Sequence, residues 1–342
     1  MTATSLSIVV PTFDRRDSVL RLLRALEAQS RHAGDFEAIV VVDGSADGTT
    51  EAVEAYRASY PLRCVPLPRS GRAAARNAGA RAAAAPIVQF LDDDMEPAPG
   101  MVAAHLERHA RGGATGVVGA VPVVVGADAP PVVRYRAGAF TRKLERLAGR
   151  RDALVFNDVF AGNVSMSREA FFAAGGYDEG FQRYGNEDYE LSLRLLRAGH
   201  RFVYEPAALA QQYYEKTLRE LADDVESEGR NAVAFARRHP DVLDSLALGG
   251  FSRRPLAGRL RLALILVLAR ADGSLRERLI AAAERADRRA APADASPVGD
   301  ASRFARYDAL FDTLYWIGAE QALRRAETPW WDVAVRRAAR WL

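Results

Sequence analysis

Short β-branched runs alternate with helix-period segments through the first half of the chain, which is the pattern of a βαβ sheet. Residues 6–10 (LSIVV) predict a buried strand ended by Pro11. Asp17 or Ser18 is placed to cap a helix whose apolar face is Val19, Leu22, Leu23 and Leu26. Residues 38–42 predict a second strand, apolar without interruption as parallel strands covered on both faces are. A turn-rich loop, 43–49, leads into a helix over about 51–59, a short strand at 64–67, an Ala-rich helix over about 71–84 and a fourth strand at 87–91. In open parallel sheets ligands bind beyond the carboxyl ends of the strands. The polar loops 12–15, 43–49 and 92–96 therefore converge on one edge as a candidate site.

Past Gly116 the period changes. Residues 117–125 read as a longer β run that Pro122 confines to a sheet edge. A helix over 134–150 and a strand over 159–166 follow, and Ser167 caps a helix over 168–174 that Gly175-Gly176 stops. Gly185 or Asn186 opens a helix over 187–198, closed by Gly199, and residues 201–204 form a last strand. From about Glu215 onward the pattern is helical, with one interruption over 286–301. The longest apolar run, residues 262–269, predicts a buried helix; it is less than half of the roughly 20 residues a membrane span needs.

Composition bounds the class. With 342 residues, 49% hydrophobic and 27% charged, the chain reads as globular with ample core. The lone Cys64 excludes a disulfide framework and a cysteine-based zinc site. The amino terminus has no basic segment followed by an apolar stretch of signal-peptide length, and a cytoplasmic location is expected. A net charge of +3 gives no electrostatic footprint for nucleic acid. Its placement is more informative. Residues 251–342 hold 17 arginines against 11 acidic residues, a local +6, which leaves 30 basic and 33 acidic residues, −3, in the first 250. Only Lys143 and Lys216 are lysines.

Three adjacent carboxylates, Asp92-Asp93-Asp94, close the fourth strand. They repel one another unless a cation or hydrogen bonds neutralise them. Alternate residues of an extended segment point the same way, so Asp92 and Asp94 can share a ligand. Hard cations such as Mg²⁺ or Mn²⁺ prefer such oxygens, combined with substrate phosphates. A second acidic cluster, Gly185-Asn-Glu-Asp-Tyr-Glu190, sits at a helix amino terminus, where the macrodipole favours carboxylates. Arg72, Arg76 and Asn77 on the Ala-rich helix could meet phosphate or ribose, or simply face solvent. Asp43 could accept from a base or ribose hydroxyl, or satisfy its own turn. Neither GxGxxG after strand one nor GxxxxGK[ST] is present, which disfavours a dehydrogenase or P-loop enzyme.

Taken in order, SIVVPTFDR (7–15), VVVDGSADGT (40–49), GRAAARNAGA (71–80), VQFLDDDMEP (88–97), FAGNVSMSREAFFAAGGYDEGF (160–181) and GNEDYELSLRLLRAGHRFVYEP (185–206) resemble the inverting family 2 glycosyltransferases of GT-A fold. The resemblance spans about residues 5–210. It implies an α/β fold with a Rossmann-like, mostly parallel sheet flanked by helices: a catalytic domain at 1–215, with a nucleotide-binding half (1–97) and an acceptor half (98–215), followed by a helical region at 216–342. It further implies a nucleotide-sugar donor held by Pro11, Thr12, Phe13, Asp43, Arg72 or Arg76, and by Asp92 and Asp93. A divalent cation, Mn²⁺ or Mg²⁺, would lie on Asp92 and Asp94, with Asp188 as general base. Ala161, Gly162, Asn163 and Glu187 would face the hydroxyl acceptor, which could be a glycan, a lipid-linked sugar or a small molecule. Two positions depart from the family pattern. Val42-Asp43 replaces the common Asp pair, and Gln211-Gln212 stands where a metal-ligating His is often placed, leaving Gln212 as the weaker oxygen ligand.

In the last segment, Trp330, Trp331, Ala334, Ala338 and Trp341 share one side of a helix and Arg336, Arg337 and Arg340 the other. Such a helix packs with its arginines toward water or the acidic body, or it lies on anionic lipid at the inner face of the membrane. Tyr307, Phe311, Leu314 and Tyr315 form a further stripe suited to a core or a homodimer contact. Two rival functions share these features: a sugar-phosphate nucleotidyltransferase, which would need a glycine-rich loop after strand one, and a sugar-nucleotide-binding scaffold without turnover.

Overall fold

A computed structural model of the protein describes residues 4–29, 36–113, 115–181, 184–289 and 297–325. The chain divides into two compact units, residues 1–182 with 187–215 and residues 183–186 with 216–342.

The first unit is an eight-stranded mixed sheet flanked by helices, in the order β3-β2-β1-β4-β7-β6-β8-β5. β1 (Leu6–Thr12), β2 (Phe36–Asp43), β3 (Leu62–Leu67) and β4 (Ile87–Leu91) are mutually parallel. β1 and β2 are buried along almost their whole length, as their unbroken apolar runs require. β7 (Asn163–Ser167) turns the sheet antiparallel against β4 and against β6 (Gly116–Ala120). β6 pairs in parallel with β8 (Phe202–Gln212), and β8 pairs with β5 (Met95–Pro97) in antiparallel register.

Several expectations need correction. β1 runs through Pro11 to Thr12, with Pro11 opposite Val41 of β2. Helix α1 (Arg16–Leu26) has neither Asp17 nor Ser18 as cap; the Arg16 amide donates instead to Asp47 Oδ2 in the loop after β2, at 3.1 Å. β6 is an interior strand ending at Ala120, so Pro122 lies beyond it, where its carbonyl accepts from the Gln212 amide. The strand expected over 201–204 continues to Gln212, because β5 and the Pro122 carbonyl give its second half partners.

The helices that carry site residues are α3 (Arg72–Ala82), whose Gly79 packs on Val9 and Val41, and α7 (Glu187–Arg197), opened by Gly185 and Asn186 at φ of 109° and 69°. α2 (Thr49–Ala55), α4 (Met101–Ala110), α5 (Pro131–Ala148) and α6 (Arg168–Ala173) complete the layers. Ser167 caps α6 as expected, its Oγ accepting from the Ala170 amide.

The second unit is helical: α8 (Leu218–Arg238), α9 (Leu256–Ala271), α10 (Leu275–Arg289) and α11 (Pro297–Arg325). Thr217 and Glu220 form a capping box that starts α8. The stripe Tyr307, Phe311, Leu314 and Tyr315 is buried on α11. The apolar run 262–269 is not a buried helix: within α9 Leu262 and Leu266 are buried, whereas Leu264, Val267 and Leu268 are exposed. Of the interruption expected over 286–301, residues 290–296 lie outside the described residues, as does the Trp- and Arg-rich segment 330–342.

α8 and α11 touch backbone to backbone through two glycines. A Cβ at Gly229 would stand 1.9 Å from the Tyr315 carbonyl, and one at Gly318 1.9 Å from the Glu226 carbonyl. Main chain cannot yield as a flexible side chain does. Gly229→Ala is therefore expected to destabilise the second unit by about 1–3 kcal/mol, read as a lower urea midpoint for that unit's transition.

Candidate active site

Asp92, Asp93, Asp94, Glu187 and Asp188 are drawn into a network with Arg76 or Arg15. Arg76, on α3, is only 2% exposed. Its Nη2 donates to Asp92 Oδ1 at 3.0 Å and its Nη1 to Glu187 Oε1 at 3.1 Å, with Asp188 Oδ1 at 3.8 Å. The Tyr177 ring lies 5.4 Å from the guanidinium carbon. Burial opposes this charge, but Asp188, Asp92 and Glu187 together hold the Arg76 pKa well above the ordinary value. Arg76 thus binds protein carboxylates from β4 and α7; Arg72, at the first turn of the same helix, is the exposed arginine of the pair.

Asp188, at the start of α7, is held by one of its two oxygens. Its Oδ2 accepts from the Ala161 amide at 2.9 Å, which fixes the carboxylate, while Oδ1 is buried with no hydrogen-bond partner. Burial raises its pKa to about 6; Glu187 and Asp92 push in the same direction, and Arg76 and the Ala161 amide oppose. Glu187 is the buried neighbour that anchors Arg76.

The three aspartates after β4 divide their work by direction. Asp93 turns inward, accepting from Thr12 Oγ1 at 2.8 Å and from Arg15 Nη1 at 3.2 Å. Its pKa is raised by burial, with Arg15 opposing. Asp94 accepts from Gln212 Nε2 at 3.1 Å through Oδ2, but its Oδ1 is buried without a partner, as is Gln212 Oε1. Burial first, then Asp92 and Asp93, lift the Asp94 pKa to about 7. Asp92 keeps the more open position, and Gly162 brings its backbone close enough that a Cβ there would be 3.6 Å from Asp92 Oδ2.

Two orphaned buried oxygens beside Asp92 fit an oxygen-loving divalent cation. Among the described residues no group of three or more His, Cys, Asp or Glu converges to hold a metal. A cation here would therefore rest on Asp92, Asp94 and the Gln212 carbonyl, with diphosphate and water completing its shell.

The other expected residues fall into two groups. Pro11 and Thr12 end β1 and Phe13 follows it, presenting an exposed ring with the Arg69 guanidinium 3.4 Å from its centroid. Asp43 is buried and anchors the next turn: it accepts from Arg69 Nη1 at 2.6 Å and from the Ser70 and Gly71 amides at 2.6 and 3.0 Å. Asn163, expected on the acceptor side, is a correction. It is fully buried in β7, where Oδ1 accepts from Gln89 at 2.9 Å and meets His105 Nε2 at 2.9 Å, and Nδ2 donates to the Ala208 carbonyl at 2.8 Å. A buried polar side chain needs hydrogen-bond partners from the elements around it, and these occupy it. Burial lowers the His105 pKa to about 4, so the ring is neutral. Ala161 is also buried and acts through its amide.

Arg15 and Tyr177 are the residues that sequence reasoning passed over. Arg15 stands in the first polar loop of the ligand edge, which is the signal that marks it. Tyr177, in the turn after α6, carries no comparable signal.

Residues 7–172 match the family described as Glycosyl transferase family 2, and residues 152–217 match the N-terminal domain of galactosyltransferase. The chain is similar to validoxylamine A glucosyltransferase of Streptomyces hygroscopicus, 30% identical over 268 aligned positions, with 70% of this chain and 62% of that protein covered. It is also similar to the pre-mycofactocin glycosyltransferase of Mycobacterium tuberculosis, 30% identical over 250 residues, 71% of this chain and 50% of that one. The chain thus spans about half to three-fifths of the length of these curated relatives. Among solved structures, mannosyltransferase PcManGT from Pyrobaculum calidifontis, in complex with GDP-Man and Mn²⁺, superposes with a TM-score of 0.57 at 20% identity, covering 94% of this chain and 88% of that one. S. aureus TarS residues 1–349 in complex with UDP gives 0.50 at 15% identity, with 94% and 92% covered. Matches that run in chain order from β1 to β8 place this chain in glycosyl transferase family 2, with the GT-A fold.

Proposed function

We propose that the chain transfers a sugar from a nucleotide-sugar donor to a hydroxyl acceptor, in one displacement with inversion and with help from Mn²⁺ or Mg²⁺. The observation that carries this reading is the Asp188 carboxylate: one oxygen is pinned by the Ala161 amide and the other accepts no hydrogen bond, with a pKa of about 6. A base poised near neutrality can take the acceptor proton as its oxygen attacks the anomeric carbon. A single displacement has no covalent sugar intermediate and so needs no second carboxylate as nucleophile.

In this reading residues 1–97 hold the nucleotide and 98–215 the acceptor, with 216–342 appended. Pro11, Thr12 and Phe13 border the nucleotide, Arg72 and Arg15 face its diphosphate, and Asp43 and Asp93 shape the loops that carry them. Gly162 and Glu187 border the sugar and acceptor. The cation, when bound to Asp92, Asp94 and Gln212, offsets the negative charge that develops on the departing diphosphate. The GDP-Man, UDP and Mn²⁺ bound by structures of the same fold support this choice of ligands. The acceptor is a glycan, a lipid-linked sugar or a small molecule, and the reaction is cytoplasmic.

The test is release of nucleotide diphosphate from a panel of UDP-, GDP- and dTDP-sugars with Mn²⁺. Release from none of them with any hydroxyl acceptor would leave the chain a binding scaffold. EDTA is expected to abolish release and added Mn²⁺ to restore it; undiminished release in EDTA would remove the cation from Asp92 and Asp94.

Asp188 works only when ionised. kcat/KM is therefore expected to fall about tenfold per pH unit below the Asp188 pKa of about 6 and to level off above it. Asp188→Asn is expected to lower kcat by roughly 10²–10⁴-fold while donor binding, followed by calorimetry, is kept. An unchanged acid limb in that variant would assign the base elsewhere.

A further inference from the structure

Among the described residues nine large hydrophobic side chains are exposed, and five of them lie on α9. Leu256, Leu260, Leu264, Val267 and Leu268 are each 48–63% exposed. At about 100° per residue these positions span one arc of roughly 120° on the helix, with Ala257 and Ala271 inside it. Leu262 and Leu266, on the opposite side, are buried against the second unit. The stripe is thus the outer face of a helix that is already anchored by its inner face.

Charge is arranged around this stripe in one sign. From Phe251 to Ala271 there are five arginines and no acidic residue. Arg261 lies at one margin of the exposed arc, and Arg259 and Arg270 lie at the other. Arg254 and Arg270 are paired with Asp312 and Glu320 of α11, which fixes the helix in its orientation. Arg261 is exposed and has no ion pair among the described residues. No helix among the described residues is long and apolar enough to cross a membrane. A helix with an apolar outer stripe and basic margins is instead suited to lie in the plane of a bilayer surface, its leucines among acyl chains and its guanidinium groups reaching phosphates.

We propose that α9 is a docking face for an anionic lipid surface, with Leu256, Leu260, Leu264, Val267 and Leu268 entering the interface and Arg261 and Arg259 meeting lipid phosphates. A second copy of this chain would meet the same arginines with their like charge, and no acid of α9 could answer them. Lipid supplies both the apolar medium and the opposite charge. The face is independent of the sheet-edge site, and the proposal stands whether or not the chemistry above holds.

The experiment is vesicle co-sedimentation of the full chain, using phosphatidylcholine with and without phosphatidylglycerol. Binding is expected to vesicles containing phosphatidylglycerol, to weaken with added salt as screening requires, and to be far weaker to phosphatidylcholine alone. Combining Leu260→Glu with Leu264→Glu is expected to reduce binding at least about tenfold, with circular dichroism and nucleotide diphosphate release unchanged. Arg261→Glu, at an exposed margin that leaves the apolar stripe intact, is a second variant expected to weaken binding. Absence of binding to either vesicle, or binding that both variants retain, overturns the proposal. Self-association by light scattering that Leu260→Glu with Leu264→Glu abolishes, without vesicle binding, also overturns it and assigns the face to a second copy.

Discussion

A single buried guanidinium holds the candidate edge of this fold together. Arg76 reaches from α3 to Asp92 at the end of β4 and to Glu187 and Asp188 at the start of α7. These segments are far apart in sequence, and three carboxylates brought together without a cation would repel one another or take up protons. Removing only the guanidinium would strand buried charges, a loss of about 3–5 kcal/mol in comparable pairs. Arg76 also sets the chemistry: it opposes the burial that raises the Asp188 pKa, which keeps the carboxylate near neutrality rather than permanently protonated. One side chain thus bears both on whether the edge assembles and on how far the Asp188 pKa rises.

The diphosphate side has a different deficit. Arg15 meets Asp93 directly and Asp94 only at 3.7 Å, and Asp94 Oδ1 and Gln212 Oε1 face no donor. Arg76 is directed to Asp92, Glu187 and Asp188 instead, so it does not complete the neutralisation. Burial and neighbouring carboxylates raise Asp94 to about 7, the condition a divalent cation relieves. With a glutamine carbonyl in place of imidazole, the protein contributes weaker ligation. A cation held there would lean more on the oxygens of a donor diphosphate, which would couple its binding to that of the donor.

Much of this was legible in the sequence, and the reasons differ by element. β1, β2 and β4 were readable because strands covered on both faces are continuously apolar, and the ligand edge followed from the parallel order alone. Motif order singles out Asp92, Asp94 and Asp188, and the structure brings all three to the Arg76 and Arg15 network. What failed depended on partners that a sequence does not display. Pro122 was taken to mark an edge strand, yet β6 ends before it and is interior. Asn163 sat in a quoted motif, but its surroundings, Gln89, His105 and the Ala208 carbonyl, come from three other elements. Asp43 offered both a ligand role and a turn role, and the Arg69–Gly71 turn takes the second. Arg76 was placed among phosphate ligands because Arg chemistry fits phosphate and protein carboxylates equally well; only its burial separates the two.

The same reasoning explains why the apolar run 262–269 misleads. Hydropathy counts side chains without regard to which face meets a partner. α9 places Leu262 and Leu266 against its own unit and turns Leu264, Val267 and Leu268 outward. The arginine excess of residues 251–342 is likewise not uniform. Glu320 engages Arg270 and Arg324, Glu226 engages Arg276, and Asp312 engages Arg254, so these arginines are paired inside the helical unit. Positive charge left at the margins of the exposed stripe, as at Arg261, is therefore local to the one apolar surface that lacks a cover among the described residues. Hydrophobic area and unbalanced charge that coincide on one helix face constrain a partner more tightly than either does alone, because few surfaces other than anionic lipid satisfy both.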